Sequence, residues 1–315
     1  MAGFVWDGFS ERRVMFCEGF RQDRKKSSRD ITGLYRCFIN SVHRNYAENL
    51  QTERIRCVHW RGYSLQVTVL ASGSKGNSVY IELDGVRLLI DAGISAARIT
   101  KALRANEIDP QTIDAILLTH EHIDHVRGLK TLSKQYHLPI LATRGTLAGI
   151  DGGAAFAEDM HCISGDFCVG DVTIHPFPIS HDAADPCGFR VEGSHCCTLA
   201  TDLGVVTDTV QEAMEGADVL VFEANHDTDL LRKGKYPWPL KRRILSNRGH
   251  LANAEAGWAL TRMKKIPHKV FLAHLSEENN GPDLAFNTIK DILATRGMTM
   301  DVESCLPEGG AEVKL

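Results

Sequence analysis

The stretch Leu117-Leu118-Thr119-His120-Glu121-His122-Ile123-Asp124-His125 constrains this chain most, because it sets three histidines and Asp124 within six residues directly after an apolar run. A strand ending at Thr119 delivers His120 and His122 to one side, since alternate extended residues share a face. A helix starting near Val126 swings Asp124 and His125 to the other side, which makes room for a second ion. Imidazole and carboxylate together suit zinc, manganese or iron better than calcium.

Around this stretch short β-rich runs alternate with helical segments. Strands are predicted at residues 66–70, 79–83, 87–90, 115–119 and 139–142, with helices at 96–106 and after Val126. A second set follows, with strands near 172–177, 187–191, 196–201 and 219–222 and helices near 254–264 and 283–295. An α/β fold with two sheets and helices outside, an αβ/βα four-layer sandwich, accommodates this order. Metals would lie at one edge, where strand ends from both halves meet.

At 315 residues, 43% hydrophobic and 24% charged, the chain is long enough for one large α/β domain with a substantial core. No apolar run reaches the roughly 18 residues that a membrane span needs. The nine cysteines show no C-x-x-C spacing, which argues against a thiolate metal site and for reduced thiols in a cytoplasm. Charge divides the chain unevenly. Residues 1–62 carry 12 Lys+Arg against 7 Asp+Glu, whereas the remaining 253 carry 24 against 33, a net of −9. Residues 1–64 are therefore expected to be a basic, disordered extension ahead of a hydrolase domain at 65–315. One reading makes the extension an arm that touches nucleic acid. Another has translation begin near Leu65, because Trp60-Arg61-Gly62 can be encoded by a purine-rich ribosome-binding sequence; peptide mapping of the native N-terminus decides between them.

His120, His122, Asp124 and His125 resemble the signature of the metallo-β-lactamase superfamily, whose other positions match in order. Asp91, closing an apolar run, matches the acidic residue that buttresses the metal site. His181, Asp202 and His274 match its remaining ligands. The resemblance implies one ion at His120, His122 and His181, a second at Asp124, His125 and His274, and Asp202 bridging both. It covers about four-fifths of the chain, from Leu65 onward. An Asp at position 202, where the commonest β-lactamases carry Cys, favours two closely held ions of the kind that clamp a phosphodiester. Only 41 residues follow His274, too few for the helical domain of glyoxalase-type members. The 72-residue interval from Asp202 to His274 also lacks the large insert of RNA-processing nucleases.

That interval holds Glu223-Ala224-Asn225-His226-Asp227 and Asn247-Arg248-Gly249-His250-Leu251, similar to the Glu/His pair of tRNA 3′-processing members. By that resemblance His250 protonates the leaving oxygen and Glu223 orients it, while Asp124 steers the attacking water. The compact YycJ/WalJ-type metallo-hydrolases match most specifically, through Leu70–Ser78, Glu223–Asp227, Tyr236–Leu251 and Ala273–Asn280. This implies a dinuclear, Zn- or Mn-dependent phosphodiesterase, a 5′-to-3′ exonuclease on double-stranded DNA acting in mismatch repair with repair proteins as partners. A metallo-hydrolase of a small substrate, such as a cyclic phosphodiester, thioester or β-lactam, is the alternative, and a regulatory protein that kept the fold without activity is a third. The loop bearing Ser72, Ser74 and Asn77 is expected either to cradle a phosphate or merely to turn the chain. His226 either lines the site or is structural. Lys233, Lys235, Tyr236, Trp238, Lys241, Arg242 and Arg243 interleave cations with aromatics, as a surface tracking a nucleic-acid backbone would, or as a solvated loop would.

Overall fold

Strands buried on both faces decide the architecture. The computed structural model describes residues 14–15, 64–150 and 159–315. Among these the first half comprises strands Val14–Met15 (β1), Leu65–Ala71 (β2), Ser78–Leu83 (β3) and Val86–Ile90 (β4), helix Ala96–Ala105 (α1), strand Ala115–Leu117 (β5), helices Ile123–Val126 (α2) and Leu129–Tyr136 (α3), strand Ile140–Ala142 (β6), helix Arg144–Gly149 (α4) and strand Met160–Cys162 (β7). The second half comprises strands Phe167–Val169 (β8), Val172–Pro178 (β9), Cys187–Glu192 (β10) and Cys196–Ala200 (β11), helix Asp208–Met214 (α5), strand Val219–Glu223 (β12), helices Thr228–Lys233 (α6), Trp238–Ile244 (α7) and Asn253–Leu260 (α8), strand Lys269–Ala273 (β13), helix Pro282–Thr295 (α9) and strands Val302–Ser304 (β14) and Glu312–Lys314 (β15).

Leu88, Ile90 and Leu117 from the first half meet Phe189, Val221 and Phe271 from the second in a core between two sheets. The alternate residues Leu89 and Ile116 face away and pack under α1 and α3 through Ile99, Leu103, Leu129 and Leu132. On the other sheet Leu220, Phe222 and Leu272 pack under α5, α8 and α9 through Val210, Ala256, Ala259 and Ile289. The result is helix, sheet, sheet, helix: the four layers expected. Strands buried on both faces read as continuous apolar runs, and Val219–Phe222 is such a run.

Strand order explains where a site can form. One sheet runs β15-β2-β3-β4-β5-β6-β7 and the other β1-β8-β9-β10-β11-β12-β13-β14 among the described residues. β4, β5 and β6 are mutually parallel, as are β11, β12 and β13. β9 joins the second group in direction through two antiparallel pairings with β10. Carboxyl ends of parallel strands gather at one edge of a sheet, the usual place for ligands in α/β folds. Asp91, His120, His181, Asp202, Glu223 and His274 all follow or close such strands. After His274, the chain forms α9 and β14 before returning as β15 to pair with β2.

Two boundaries differ from the sequence reading. The strand expected to end at Thr119 ends at Leu117, so Thr119 and His120 lie in the loop that follows it. The helix expected after Val126 begins at Ile123, so Asp124 and His125 lie within α2 itself, with His122 at its cap position. Asp124 thereby occupies the first turn, where the helix dipole favours a carboxylate. Helices α4 to α7 and strands β7, β8, β13, β14 and β15 were not anticipated. They have three to seven residues each, too few to display a period. The expectation of a disordered extension over residues 1–64 falls outside the described residues, apart from Val14–Met15, which pair antiparallel with β8, and Ser64. No helix among the described residues is long and apolar enough to cross a membrane.

The turn after β4 is held by close backbone approach. A Cβ on Gly93 would stand 1.6 Å from Asp124 O and 2.6 Å from Asn77 N, and Asn77 N–H donates to Asp124 O at 2.8 Å. Gly93→Ala must therefore push α2 away from the loop of Asn77. We expect a melting temperature about 6–12 °C lower, from an overpacking cost of about 3 kcal/mol. Gly281→Ala, which meets open space on an extended backbone, should leave the melting temperature unchanged in the same calorimetric comparison.

Candidate metal centre

The centre is built outward from Asp91. This residue follows β4 with a left-handed backbone, φ 60°, which turns its carboxylate back across the strand ends. One oxygen accepts the Thr119 amide (2.9 Å); the other accepts the Thr119 hydroxyl (2.8 Å) and lies 2.8 Å from His125 Nδ1. Asp91 thus fixes the loop leaving β5 and leaves His125 Nε2 to face the cluster. Asp202 (φ 58°) and His274 (φ 56°) share the left-handed conformation. It is uncommon for residues other than glycine, and such conformations concentrate at functional sites.

Three imidazoles converge on one side. His120 Nε2 lies 3.0 Å from His122 Nδ1, which lies 3.3 Å from His181 Nε2. Burial, and then the neighbouring imidazoles, hold His120 well below the usual histidine range; burial lowers His181 in the same direction. Neutral imidazole is the form that ligates a metal. On the other side Asp124 Oδ2 stands 3.6 Å from both His125 Nε2 and His274 Nε2. Asp202 spans the gap, with Oδ2 3.4 Å from His125 Nε2 and Oδ1 3.4 Å from His274 Nδ1.

Charge balance on that second side favours a cation. Burial opposes the charged form of His125, but Asp202 and Asp91 outweigh it and push the ring up to about 9. For His274, burial is likewise outweighed by Asp202, Asp124 and Glu223, and its pKa rises well above the usual value. Asp202 Oδ2 and His274 Nε2 are nonetheless buried without a hydrogen-bond partner, and such atoms cost free energy unless something satisfies them. His120, His122 and His181 form one group whose ligating atoms lie within 4.8 Å of one another; Asp124, His125 and His274 form another, and His120, His125 and Asp202 a third linking them. Imidazole and carboxylate donors in this arrangement fit divalent metal ions.

Glu223 and His250 join the same cluster. Glu223 is fully buried at the end of β12. Its Oε1 lies 2.8 Å from His250 Nδ1 and 2.9 Å from His274 Nδ1, and its Oε2 accepts the amides of Leu203 (2.8 Å) and Leu251 (3.2 Å). Burial alone would raise this carboxyl, but His250 and His274 hold it well below the carboxylate range. The contact with His274 was invisible in sequence, where Glu223 was read only as the partner of His250. Asp202, Glu223, His250 and His274 themselves form a further group of metal-ligand spacing.

The four side chains expected to contact substrate are differently placed. Ser72 Oγ accepts the His274 amide at 2.7 Å. Asn77 accepts the Gly73 amide (2.8 Å) and approaches His125 Nε2 to 3.2 Å. Both are therefore engaged in holding the loop against His274 and His125, while Ser74 is exposed. His226 is buried with neither ring nitrogen bonded, and burial lowers it to about 4. Sequence reasoning missed Thr119, Asn225, whose Nδ2 donates to His274 O (2.7 Å), and Arg248, which donates to His181 O (3.1 and 3.2 Å). Each adjoins a recognised motif residue, the only signal available.

The family model described as beta-lactamase superfamily domain matches residues 86–275. The chain is 37% identical over 239 residues to exodeoxyribonuclease YycJ of Bacillus anthracis, covering 74% of this chain and 90% of the relative. It is 38% identical over 244 residues to exodeoxyribonuclease WalJ of Streptococcus pneumoniae serotype 2, covering 75% and 91%. Among solved structures it superposes on the metallo-beta-lactamase fold protein YhfI of Bacillus subtilis with TM-score 0.60 at 20% identity, over 79% of this chain and 99% of the other. Short-form human tRNase Z gives TM-score 0.55 at 17% identity, over 79% and 98%. These two show the shared fold. By its sequence and its two-sheet sandwich, the chain belongs to the beta-lactamase superfamily as a metallo-β-lactamase-fold protein of the YycJ/WalJ type.

Proposed function

We propose that this chain is a metal-dependent exodeoxyribonuclease that binds two divalent ions, zinc or manganese, and digests double-stranded DNA from the 5′ end. One observation carries the reading: 37–38% identity to exodeoxyribonucleases over nine-tenths of their length, in a chain whose His and Asp residues gather in one cluster. His120, His122 and His181 would hold one ion, Asp124, His125 and His274 the other, with Asp202 between them. Divalent ions held there supply Lewis-acid chemistry, polarising phosphoryl oxygens and lowering the pKa of an attacking water.

The protein's own residues supply proton control. His250 is tethered through Nδ1 to Glu223, which leaves Nε2 without a partner among the described residues and available to protonate the departing 3′-oxygen. Glu223 fixes the ring's orientation and that of His274 together, so the proton donor and a ligand move as one unit. Asp124, held well below the carboxylate range by His274 and His125 against the opposing effect of burial, stays ionised and can orient the incoming water. His226 lines this region as a neutral ring. The cytoplasm, where DNA is the substrate and thiols such as Cys187, Cys197 and Cys305 stay reduced, is the compartment this reading assigns, with DNA-repair proteins as partners.

The test is digestion of duplex DNA labelled at the 5′ or the 3′ end by the full chain, stripped and reloaded with manganese or zinc. Release of 5′ nucleotides that His122→Ala abolishes is the expected result; no cleavage with either metal sinks the reading in favour of a small-molecule hydrolase. On a series of phosphodiesters graded by leaving-group pKa, His250→Ala should slow hydrolysis about 10²–10⁴-fold for poor leaving groups and far less for good ones. An equal loss for both would remove His250 as proton donor.

A further inference from the structure

The segment that carries His250 is the most cationic of the described chain. Between Asp229 and Glu255 it holds seven Lys+Arg and no Asp or Glu, in a chain whose residues beyond position 62 carry a net of −9. Its cations divide by environment. Lys241 is buried and donates Nζ to Arg232 O and Gly234 O, 2.7 Å each, fastening the end of α6 to α7. Arg243 pairs with Asp182, and Arg248 donates to His181 O, so both lie against the loop of a candidate ligand. Arg232, Lys233, Lys235 and Arg242 are exposed, and their side chains meet no carboxylate within ion-pair distance among the described residues.

Trp238 stands beside these cations with 61% of its surface exposed, at the first position of α7 between Pro237 and Pro239. Four residues on, Arg242 shares its helix face. Beside the loop of Ser72, by contrast, Lys75 Nζ pairs with Glu277 at 2.5 Å. The exposed face of α6 and α7 thus keeps cations that no carboxylate among the described residues neutralises, as an anion-binding surface requires.

We infer that the exposed face of α6 and α7 binds the DNA strand presented to the metal centre, with Arg232, Lys233, Lys235 and Arg242 on phosphates and Trp238 stacked on a base. This rests on the exodeoxyribonuclease reading above and adds where the strand lies. Uncompensated cations supply the sequence-independent affinity of DNA binding, and a flanked aromatic gives an unpaired base a stacking platform. From Trp238 to Arg243 is about 7.5 Å of helix rise, about two nucleotides at 3.4 Å each, so a strand lying along α7 reaches the His181 loop within a few nucleotides.

The test is fluorescence anisotropy of the full, metal-loaded chain, on a duplex with a short single-stranded end whose phosphorothioate linkages resist cutting, across a salt series. Lys235→Ala with Arg242→Ala should reduce the slope of log affinity against log salt by about 1.4–1.8, from two lost phosphate contacts. Trp238→Ala should weaken binding about tenfold with the slope unchanged, and Trp238→Phe should recover most of it. Lys101→Ala with Arg104→Ala, on α1, should change neither. Unaltered affinity and slope in the α7 variants, with the unchanged chain binding, overturns this surface and leaves the nuclease reading standing. No DNA binding by the unchanged chain at any salt overturns both. A change of sedimenting mass in Trp238→Ala, with DNA affinity intact, assigns the face to a second copy and also overturns the proposal.

Discussion

Three carboxylates, Asp91, Asp202 and Glu223, lie buried where the two sheets meet, and the rest of the centre is arranged to pay for them. An ionised group taken out of water costs several kcal/mol unless it is paired and hydrogen-bonded. Asp91 is answered by Thr119 and His125, and Glu223 by two backbone amides and two imidazoles. Asp202 differs, because one of its buried oxygens has no hydrogen bond at all. A divalent ion between His125 and His274 would satisfy that oxygen, and this need ties the fold to its chemistry.

Topology makes such a concentration of charge possible. Parallel strands of both sheets end at one edge, so six separate chain segments each contribute one or a few polar side chains without any crossing a core. The apolar layers stay dry, with Leu88, Val221 and Phe271 fully buried. The left-handed turns at Asp91, Asp202 and His274 redirect each segment immediately after its strand. Three non-glycine residues in this conformation around one cluster imply that the packing of the edge, and not local preference, dictates their backbone.

The cluster was legible because its spacing is local and its members sit at the ends of apolar runs. His120, His122, Asp124 and His125 occupy six residues, and His181, Asp202 and His274 each close a strand-like run. What binds these residues in place was not legible. The amide of His274 meets Ser72, 202 positions away, and Arg248 reaches His181 O across 67; no local pattern encodes such pairs. That Ser72 and Asn77 also brace the loop and the His274 backbone was equally hidden, because small polar residues among glycines serve either purpose. Short helices such as α6 and α7 escaped because fewer than eight residues give too few turns to reveal a buried stripe. The basic run on α7 was visible in sequence, but its adjacency to His181 was not.

A metal titration of the full, stripped chain tests the central claim that one cluster, spanning both sheets, binds two ions through Asp202. Elemental analysis after equilibrium dialysis should find about two zinc or manganese ions per chain, falling to about one or fewer in Asp202→Ala with its circular dichroism intact. Retention of both ions in Asp202→Ala, or less than one ion bound by the unchanged chain, would contradict it.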